Sequence, residues 1–161
     1  FQIATYARRH KRKHGLDVLV IDYLQLMSGD SGDKRHSQIE EITRNLKTLA
    51  KELDIDVILL SQLSRKTEEA RRPKLSHLRD SGSVEQDADV VLFIHREEVD
   101  NPDTPHKNYA DIYIAKNRQG ALGQIGATYI GHQVRFENFI GTPPNWDRDT
   151  KPIPRPARGH T

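Results

Sequence analysis

The sequence predicts an α/β fold, and three observations lead to that class. Val18–Ile21 is a run of apolar, mostly β-branched residues that stops at Asp22, and residues 57–60 form a second apolar run. Unbroken runs of this kind are typical of strands buried on both faces of a parallel sheet. Between the two runs an apolar residue recurs every three or four positions, as on one face of a helix. We therefore expect a mostly parallel sheet flanked by helices.

Composition sets limits on the class of protein. The 161 residues suffice for one domain, but 35% hydrophobic residues and a mean hydropathy of −0.76 are low for a self-sufficient core. The net charge of +2 does not by itself predict nucleic-acid binding. The absence of cysteine excludes disulfides and is compatible with a cytoplasmic protein. No segment resembles a signal peptide or a membrane span, so we expect a soluble chain without a membrane partner.

The first expected element is a helix over residues 1–14 that ends at Gly15, since glycine suits the position after a helix. Its second half is a basic run from Arg8 to His14. Cations in a last turn interact favourably with the helix dipole, so we interpret the run as a solvated surface. A nucleic-acid contact is the alternative.

A long helix is expected next, after a loop over residues 23–36 that is rich in glycine, aspartate and serine. Ser37 and Glu40 have the spacing of a capping box, which predicts a helix from Ser37 to about Leu53. Its apolar stripe should pack in the core and consists of Ile39, Ile42, Leu46, Leu49 and Leu53.

The second half of the chain predicts shorter elements. After a polar loop we expect a short helix near residues 76–79 and a turn at Gly82. Four strands should follow, with a surface insertion at residues 97–107 and a hairpin formed by the last two: residues 90–95, 109–115, 127–130 and 134–137. We assign residues 1–138 to the folded domain and residues 139–161 to a proline-rich, extended or disordered tail.

Polar residues follow the two predicted parallel strands, at the edge where open α/β sheets bind ligands. Asp22 directly follows the first strand, where a carboxylate could hold Mg²⁺ directly or through water, as the Walker B aspartate of P-loop nucleotidases does. Gln62 follows the second, where an amide could contact a γ-phosphate. A solvated aspartate and a strand-capping amide are the alternatives.

Four segments in series resemble the later half of the motor domain of DnaB-type replicative DNA helicases, a hexameric RecA-like family. They read LDVLVIDYLQLM at residues 16–27, ILLSQLSR at 58–65, LRDSGSVEQDADVV at 78–91 and IAKNRQGALG at 114–123. The likeness runs from about residue 1 to residue 137. It implies a RecA-like P-loop ATPase core, present as its C-terminal portion, with a C-terminal β-hairpin.

The resemblance implies an ATP-dependent helicase that translocates on single-stranded DNA and unwinds duplex at the replication fork. ATP and Mg²⁺ would be its cofactors, and the implied partners are single-stranded DNA, further copies in a homo-oligomeric ring (a hexamer), primase and a helicase loader. The chain lacks G-x-x-x-x-G-K-S/T, and Tyr23 instead of glutamate follows Asp22, so we expect it to be inactive alone. A RecA/RadA-like recombination or repair ATPase and a non-catalytic helicase- or DNA-binding module are the alternatives.

The resemblance also assigns residues to this chemistry. Asp22 and Gln62 become the Mg²⁺ ligand and the phosphate sensor. Lys116 and Arg118, expected just beyond a strand, match a K-x-R pair that reaches the γ-phosphate held by the next subunit; two surface cations are the alternative.

A second set of residues is assigned to DNA. Arg79, Asp80 and Gly82 match a loop that contacts the backbone of single-stranded DNA, although glutamate is more usual at position 80. A turn with a local salt bridge is the alternative. Nearby, Glu85, Asp87 and Asp89 belong to the EQDAD segment, which we interpret as structural, not as a metal cluster.

Overall fold

The computed structural model describes residues 2–27, 33–63 and 72–144, without the side chains of residues 33–35 and 79–82. The chain divides into two compact units. The first unit comprises residues 1–65 and 74–89, and the second comprises residues 66–73 and 90–161. The described strands form a parallel pair in the first unit and a four-stranded antiparallel sheet in the second. The expected α/β class is confirmed.

The first unit is built around strands β1 and β2. Its elements are α1 (Gln2–His14), β1 (Val18–Ile21), α2 (Asp33–Leu53), β2 (Asp56–Leu59) and α3 (Gly82–Asp87), with short 3₁₀ helices at Leu24–Met27 and Leu75–Ser81. β1 and β2 pair in parallel, with Val18 beside Asp56 and Ile21 beside Leu59. Parallel pairing requires a crossover between the strands, and α2 lies in that connection. As expected, Gly15 follows the end of α1, and its φ is +79°.

The start of α2 differs from the prediction. The helix begins at Asp33, so Ser37 lies inside it, one turn from its start, and the capping box is wrong. Glu40 pairs instead with Arg44 one turn later, at 2.8 Å. A local four-residue match cannot exclude an earlier start, because a helix that is already formed extends at little cost.

The core of the first unit lies between α2 and one face of the strands. Ile39, Ile42, Leu46 and Leu49 of the expected stripe are buried, and Leu19, Ile21, Val57 and Leu59 face them from the sheet. On the opposite face Val18, Val20 and Ile58 are 45%, 58% and 53% exposed. The expectation that both faces of these strands are buried is therefore wrong for this chain, because α2 covers only one of them.

The second unit is an antiparallel meander. Its strands follow one another in the order of the chain, with a short helix α4 (Glu97–Asp100) after the first: β3 (Val90–His95), β4 (Tyr109–Asn117), β5 (Gly123–Ile130) and β6 (Arg135–Asn138). The predicted hairpin of the last two strands is confirmed. Its turn closes at Val134, which adopts a left-handed conformation with a φ of +50°.

The expected surface insertion contains buried polar groups. Glu97 and Thr104 are 4% and 2% exposed, and the Thr104 hydroxyl donates to the Glu97 carboxylate at 2.6 Å. The segment therefore packs around its own hydrogen bond and is not wholly a surface loop. Sequence alone did not indicate this, because prolines and charges are equally typical of exposed turns.

A buried ion pair joins residues 72–73 to β4 within the second unit. Asp111 is fully buried and pairs with Arg72, whose guanidinium lies 3.7 Å from the centre of the Tyr113 ring. The Tyr113 hydroxyl donates to the carbonyl of Pro73. Burial raises the pKa of Tyr113 to about 12. Cation, carboxylate and ring thus form one cluster that ties residues 72–73 to β4.

Residues 145–161, most of the expected tail, lie outside the described residues, so the boundary at residue 138 stays a prediction. Across the described part of the chain, no helix combines the length and apolar character that crossing a membrane requires.

Candidate functional site

The parallel register brings the ends of β1 and β2 to one edge of the first unit. The Leu60 amide donates to the Ile21 carbonyl at 3.0 Å, and the Leu24 amide donates to the Leu60 carbonyl at 2.9 Å. These two bonds extend the pairing beyond the last strand residues. Asp22 and Gln62, both exposed, therefore lie on the two paired segments at the carboxyl edge of the sheet, as the sequence predicted.

Gln25 holds the segment that carries Gln62. Its side-chain nitrogen donates to the Ser61 hydroxyl at 3.0 Å and to the Gln62 carbonyl at 3.3 Å, while its oxygen accepts from the Gln62 amide at 3.2 Å. The sequence did not indicate this role of Gln25, although the residue lies within the LDVLVIDYLQLM segment. A glutamine there has no pattern that distinguishes a structural amide from a solvated one.

Lys116 and Arg118 lie at the end of β4 in the second unit. β4 continues to Asn117, so Lys116 is part of the strand and only Arg118 follows it. The prediction that both residues lie beyond the strand is wrong, because β3 continues to pair with β4 as far as Val90 and Asn117. Between the pairs Val91–Lys116 and Leu92–Ile114, β4 carries one extra residue, which makes a bulge.

Asn117 shapes the turn that carries Arg118. Its side-chain oxygen accepts from the Gln119 amide at 3.2 Å, and its nitrogen donates to the Ala121 carbonyl at 3.3 Å. A Cβ atom at Gly120 would lie 2.7 Å from that nitrogen. The close approach of the Asn117 amide thus depends on glycine at position 120, a requirement that the sequence did not reveal.

The carboxylates of the EQDAD segment contact α2 in the first unit. The Thr43 hydroxyl donates to Asp87 at 2.6 Å, and Lys47 pairs with Asp89. Throughout the described residues, no group of three histidine or acidic side chains could hold a metal ion. Asp87 and Asp89 therefore bind side chains of α2, and the structural interpretation of this segment stays a prediction.

The residues expected to contact DNA are described only by their backbone. Arg79 and Asp80 lie in the 3₁₀ helix Leu75–Ser81, and Gly82 begins α3. The turn expected at Gly82 is therefore helical, because the 3₁₀ helix leads directly into α3. The side chains at positions 79–82 lie outside the described residues.

Comparison with known protein families finds a match over most of the chain. The model of the DnaB-like helicase C-terminal domain matches residues 1–138. The chain belongs to this family. The resemblance inferred from four sequence segments is thereby confirmed.

Relatives and solved structures extend the comparison. The chain is 46% identical over 141 residues to the replicative DNA helicase DnaB of Geobacillus stearothermophilus, covering 85% of this chain and 31% of that protein. It is 42% identical to the replicative DNA helicase DnaC of Bacillus subtilis, covering 89% and 34%. A solved ATPase domain superposes with a TM-score of 0.78 and 40% identity, covering 86% of this chain and 50% of that one.

A second solved structure, a DnaB-like replicative helicase described with its interactions with primase, also gives a TM-score of 0.78 and 40% identity. The match covers 86% of this chain and 34% of that chain. The chain thus spans about a third of the length of the curated relatives it matches.

Proposed function

We propose that these 161 residues act as the later part of the motor domain of a ring-forming, ATP-driven replicative DNA helicase. The observation that carries the proposal is the placement of Asp22 and Gln62 at one edge of a parallel strand pair. Membership of the DnaB-like family supports a helicase over a RecA/RadA-like recombination or repair ATPase. The exposed apolar face of β1 and β2 is the surface that the phosphate-loop part of such a domain would cover.

Asp22 is proposed to hold the Mg²⁺ of bound ATP. A single exposed carboxylate at a strand end fits this ion, because Mg²⁺ keeps several waters and takes its remaining ligands from one or two carboxylates and the phosphates. When bound, the ion would neutralise charge on the phosphate oxygens. Asp22 then orients the nucleotide, and Gln62, on the adjacent segment, contacts the γ-phosphate.

Lys116 and Arg118 are proposed to act on the nucleotide of the next subunit. Arg118 is exposed on the turn after β4, and Lys116 lies two residues earlier in the strand. Arginine offers a planar fork to phosphate oxygens, and lysine offers a point charge. Both would stabilise the charge that develops as the γ-phosphoryl group leaves.

Contacts outside the nucleotide site complete the proposal. Arg79, Asp80 and Gly82 would bind the backbone of single-stranded DNA. Primase is the expected partner, since one solved relative is described with it. A helicase loader and a hexameric ring follow from the family resemblance, as does the assignment of residues 1–138 to the motor domain and 139–161 to a tail.

The test mixes two inactive forms of the complete protein, Arg118→Ala and a variant without the upstream phosphate-loop lysine. Arg118→Ala alone should lose ATP turnover on the order of 10³-fold, as removal of an arginine finger does, while nucleotide binding persists. Arg135→Ala, at an exposed arginine of the same sheet, is the matched control and should keep its turnover.

Shared sites predict recovery of ATPase activity in the mixture, because some interfaces then pair an intact loop with an intact Arg118. Mixed rings, demonstrated by differential tagging, that recover no activity would contradict the assignment of Lys116 and Arg118 to a neighbouring site. Normal turnover of Arg118→Ala alone would contradict it as well.

A further inference from the structure

We infer that Gln25 is a positioning residue that sets the backbone of Gln62, and through it the direction of the Gln62 side chain. The inference rests on the proposed function, because it matters only if Gln62 contacts the γ-phosphate. None of the roles proposed above for Asp22, Gln62, Lys116 or Arg118 involves Gln25.

The Gln25 amide replaces the strand pairing where that pairing ends. The backbone pairing ends with the bonds from the Leu60 amide to the Ile21 carbonyl and from the Leu24 amide to the Leu60 carbonyl, where the chain after Asp22 enters a 3₁₀ helix. Gln25 then binds both the amide and the carbonyl of Gln62, as a neighbouring peptide group would. One side chain thus satisfies both backbone groups of Gln62.

The chemistry requires an amide in particular. Gln25 uses its oxygen as an acceptor for the Gln62 amide and its nitrogen as a donor to the Gln62 carbonyl and Ser61. Glutamate would keep the acceptor but lose both donors and turn a charge toward the carbonyl. Leucine has a similar volume, but its side chain can neither donate nor accept a hydrogen bond. Two substitutions therefore separate the hydrogen bonds from the space that the side chain fills.

The backbone that carries the Gln25 side chain is held in place by the preceding residue. The preceding residue, Leu24, is fully buried in the core formed with α2, and its amide donates to the Leu60 carbonyl at 2.9 Å. Gln25 is therefore attached at one end to the core and at the other to Gln62. Because it follows Asp22 by three residues, it also links the two strand ends that carry the proposed nucleotide contacts.

The experiment measures DNA-stimulated ATP turnover in the complete protein for Gln25→Leu, Gln25→Glu, Gln62→Ala and Gln25→Leu combined with Gln62→Ala. We expect each Gln25 variant to lower kcat about tenfold or more, since small misplacements near the reacting groups have effects of this size, with KM for ATP and the melting temperature unchanged. Gln133→Leu, the same substitution in the exposed 3₁₀ helix Gly131–Gln133, should behave as wild type.

The double variant provides the decisive comparison. If Gln25 acts through Gln62, Gln25→Leu causes no further loss in the Gln62→Ala background. If the two substitutions instead lowered kcat by factors that multiply in the double variant, the two residues would act independently and the inference would be overturned. A parallel fall in melting temperature and rise in KM would overturn it in favour of a purely structural role.

Failure of the inference is distinguishable from failure of the proposed function. If Gln62→Ala abolishes DNA-stimulated turnover while both Gln25 variants behave as wild type, the γ-phosphate contact of Gln62 stands and the positioning role of Gln25 is wrong. If Gln62→Ala retains full DNA-stimulated turnover, the γ-phosphate contact in the proposed function is wrong, and the inference about Gln25 falls with it.

Discussion

The two units carry their candidate site residues in different ways. In the first unit, Asp22 and Gln62 follow two strands whose parallel register places their ends together. In the second unit, Arg118 lies on a turn whose shape depends on the Asn117 side chain and on the absence of a Cβ atom at Gly120. Strand ends are placed by repeated backbone pairing, whereas the turn is placed by a few side-chain contacts. The first arrangement is readable from sequence and the second is not.

The units also differ in how they use charge. The Arg8–Glu52 pair of the first unit joins α1 to α2 at the surface, and both side chains are more than 40% exposed. Arg72 and Asp111 of the second unit form a pair whose carboxylate is fully buried. Solvent weakens the Arg8–Glu52 interaction. Loss of either partner of the Arg72–Asp111 pair instead leaves the other charge buried without compensation, which costs free energy.

The largest expected effect concerns the strand end of the first unit. Asp22→Ala in the complete protein should lower Mg²⁺-dependent ATP turnover on the order of 10³-fold, because metal stabilisation of transition-state charge contributes several kcal/mol. Asp17→Ala removes an exposed aspartate at the opposite end of β1 and should leave turnover unchanged. Steady-state kinetics measures the ATP turnover of both variants. If the two substitutions lowered turnover equally, the two ends of β1 would not differ in function.

The next effect concerns stability and distinguishes the two charge pairs. Asp111→Ala should destabilise the second unit by about 3–5 kcal/mol, because it leaves the Arg72 charge without its buried partner. Glu52→Ala should have a small effect on the first unit, since water replaces an exposed partner. Hydrogen exchange read separately over β4 and β1 measures both. Faster exchange over β1 in Asp111→Ala would show that the units do not open independently.

A smaller effect is expected at alkaline pH. Burial raises the pKa of Tyr113 to about 12, above its value in the unfolded chain, so the folded state holds this proton more tightly. The stabilisation is fully present below pH about 10 and is lost as the pH rises toward 12, with an upper limit of about 3 kcal/mol.

Urea unfolding between pH 9 and 12, at pH steps of about one unit, tests this dependence. Tyr113→Phe should remove part of the decline, while Tyr6→Phe, at a tyrosine 70% exposed in α1, should leave it unchanged. Absorbance titration of the tyrosines should show a component near pH 12 that is missing from Tyr113→Phe. An unchanged decline in Tyr113→Phe would contradict the assignment.

The smallest expected effect concerns the turn of the second unit. Gly120→Ala places a Cβ atom against the Asn117 amide and should lower ATP turnover about tenfold by displacing Arg118, with the fold retained. Gly123→Ala is the matched control, since a Cβ there meets no atom within 4 Å. If both glycine variants turn over ATP at the same rate, the shape of this turn does not determine the position of Arg118.

Much of the fold could be predicted because it follows from repeated patterns. The α2 stripe, the β3 limits and the final hairpin each rest on many residues that agree with one another. The start of α2, the helical backbone at Gly82 and the buried Glu97–Thr104 contact were predicted wrongly or missed. These features depend on one or two residues, whose local preference yields to helix extension or to a single buried hydrogen bond.

The candidate site divides in the same way. The sequence by itself determined that Asp22 and Gln62 follow apolar strands, because an apolar run and its polar end are both local features. Only the tertiary structure decided that Gln25 binds Gln62, that Asn117 holds the turn of Arg118 and that Asp111 is buried against Arg72. Glutamine, asparagine and aspartate are common on surfaces, so their presence predicts no partner. Such contacts form between residues distant in sequence or across a turn, and only the folded chain brings the donor and the acceptor together.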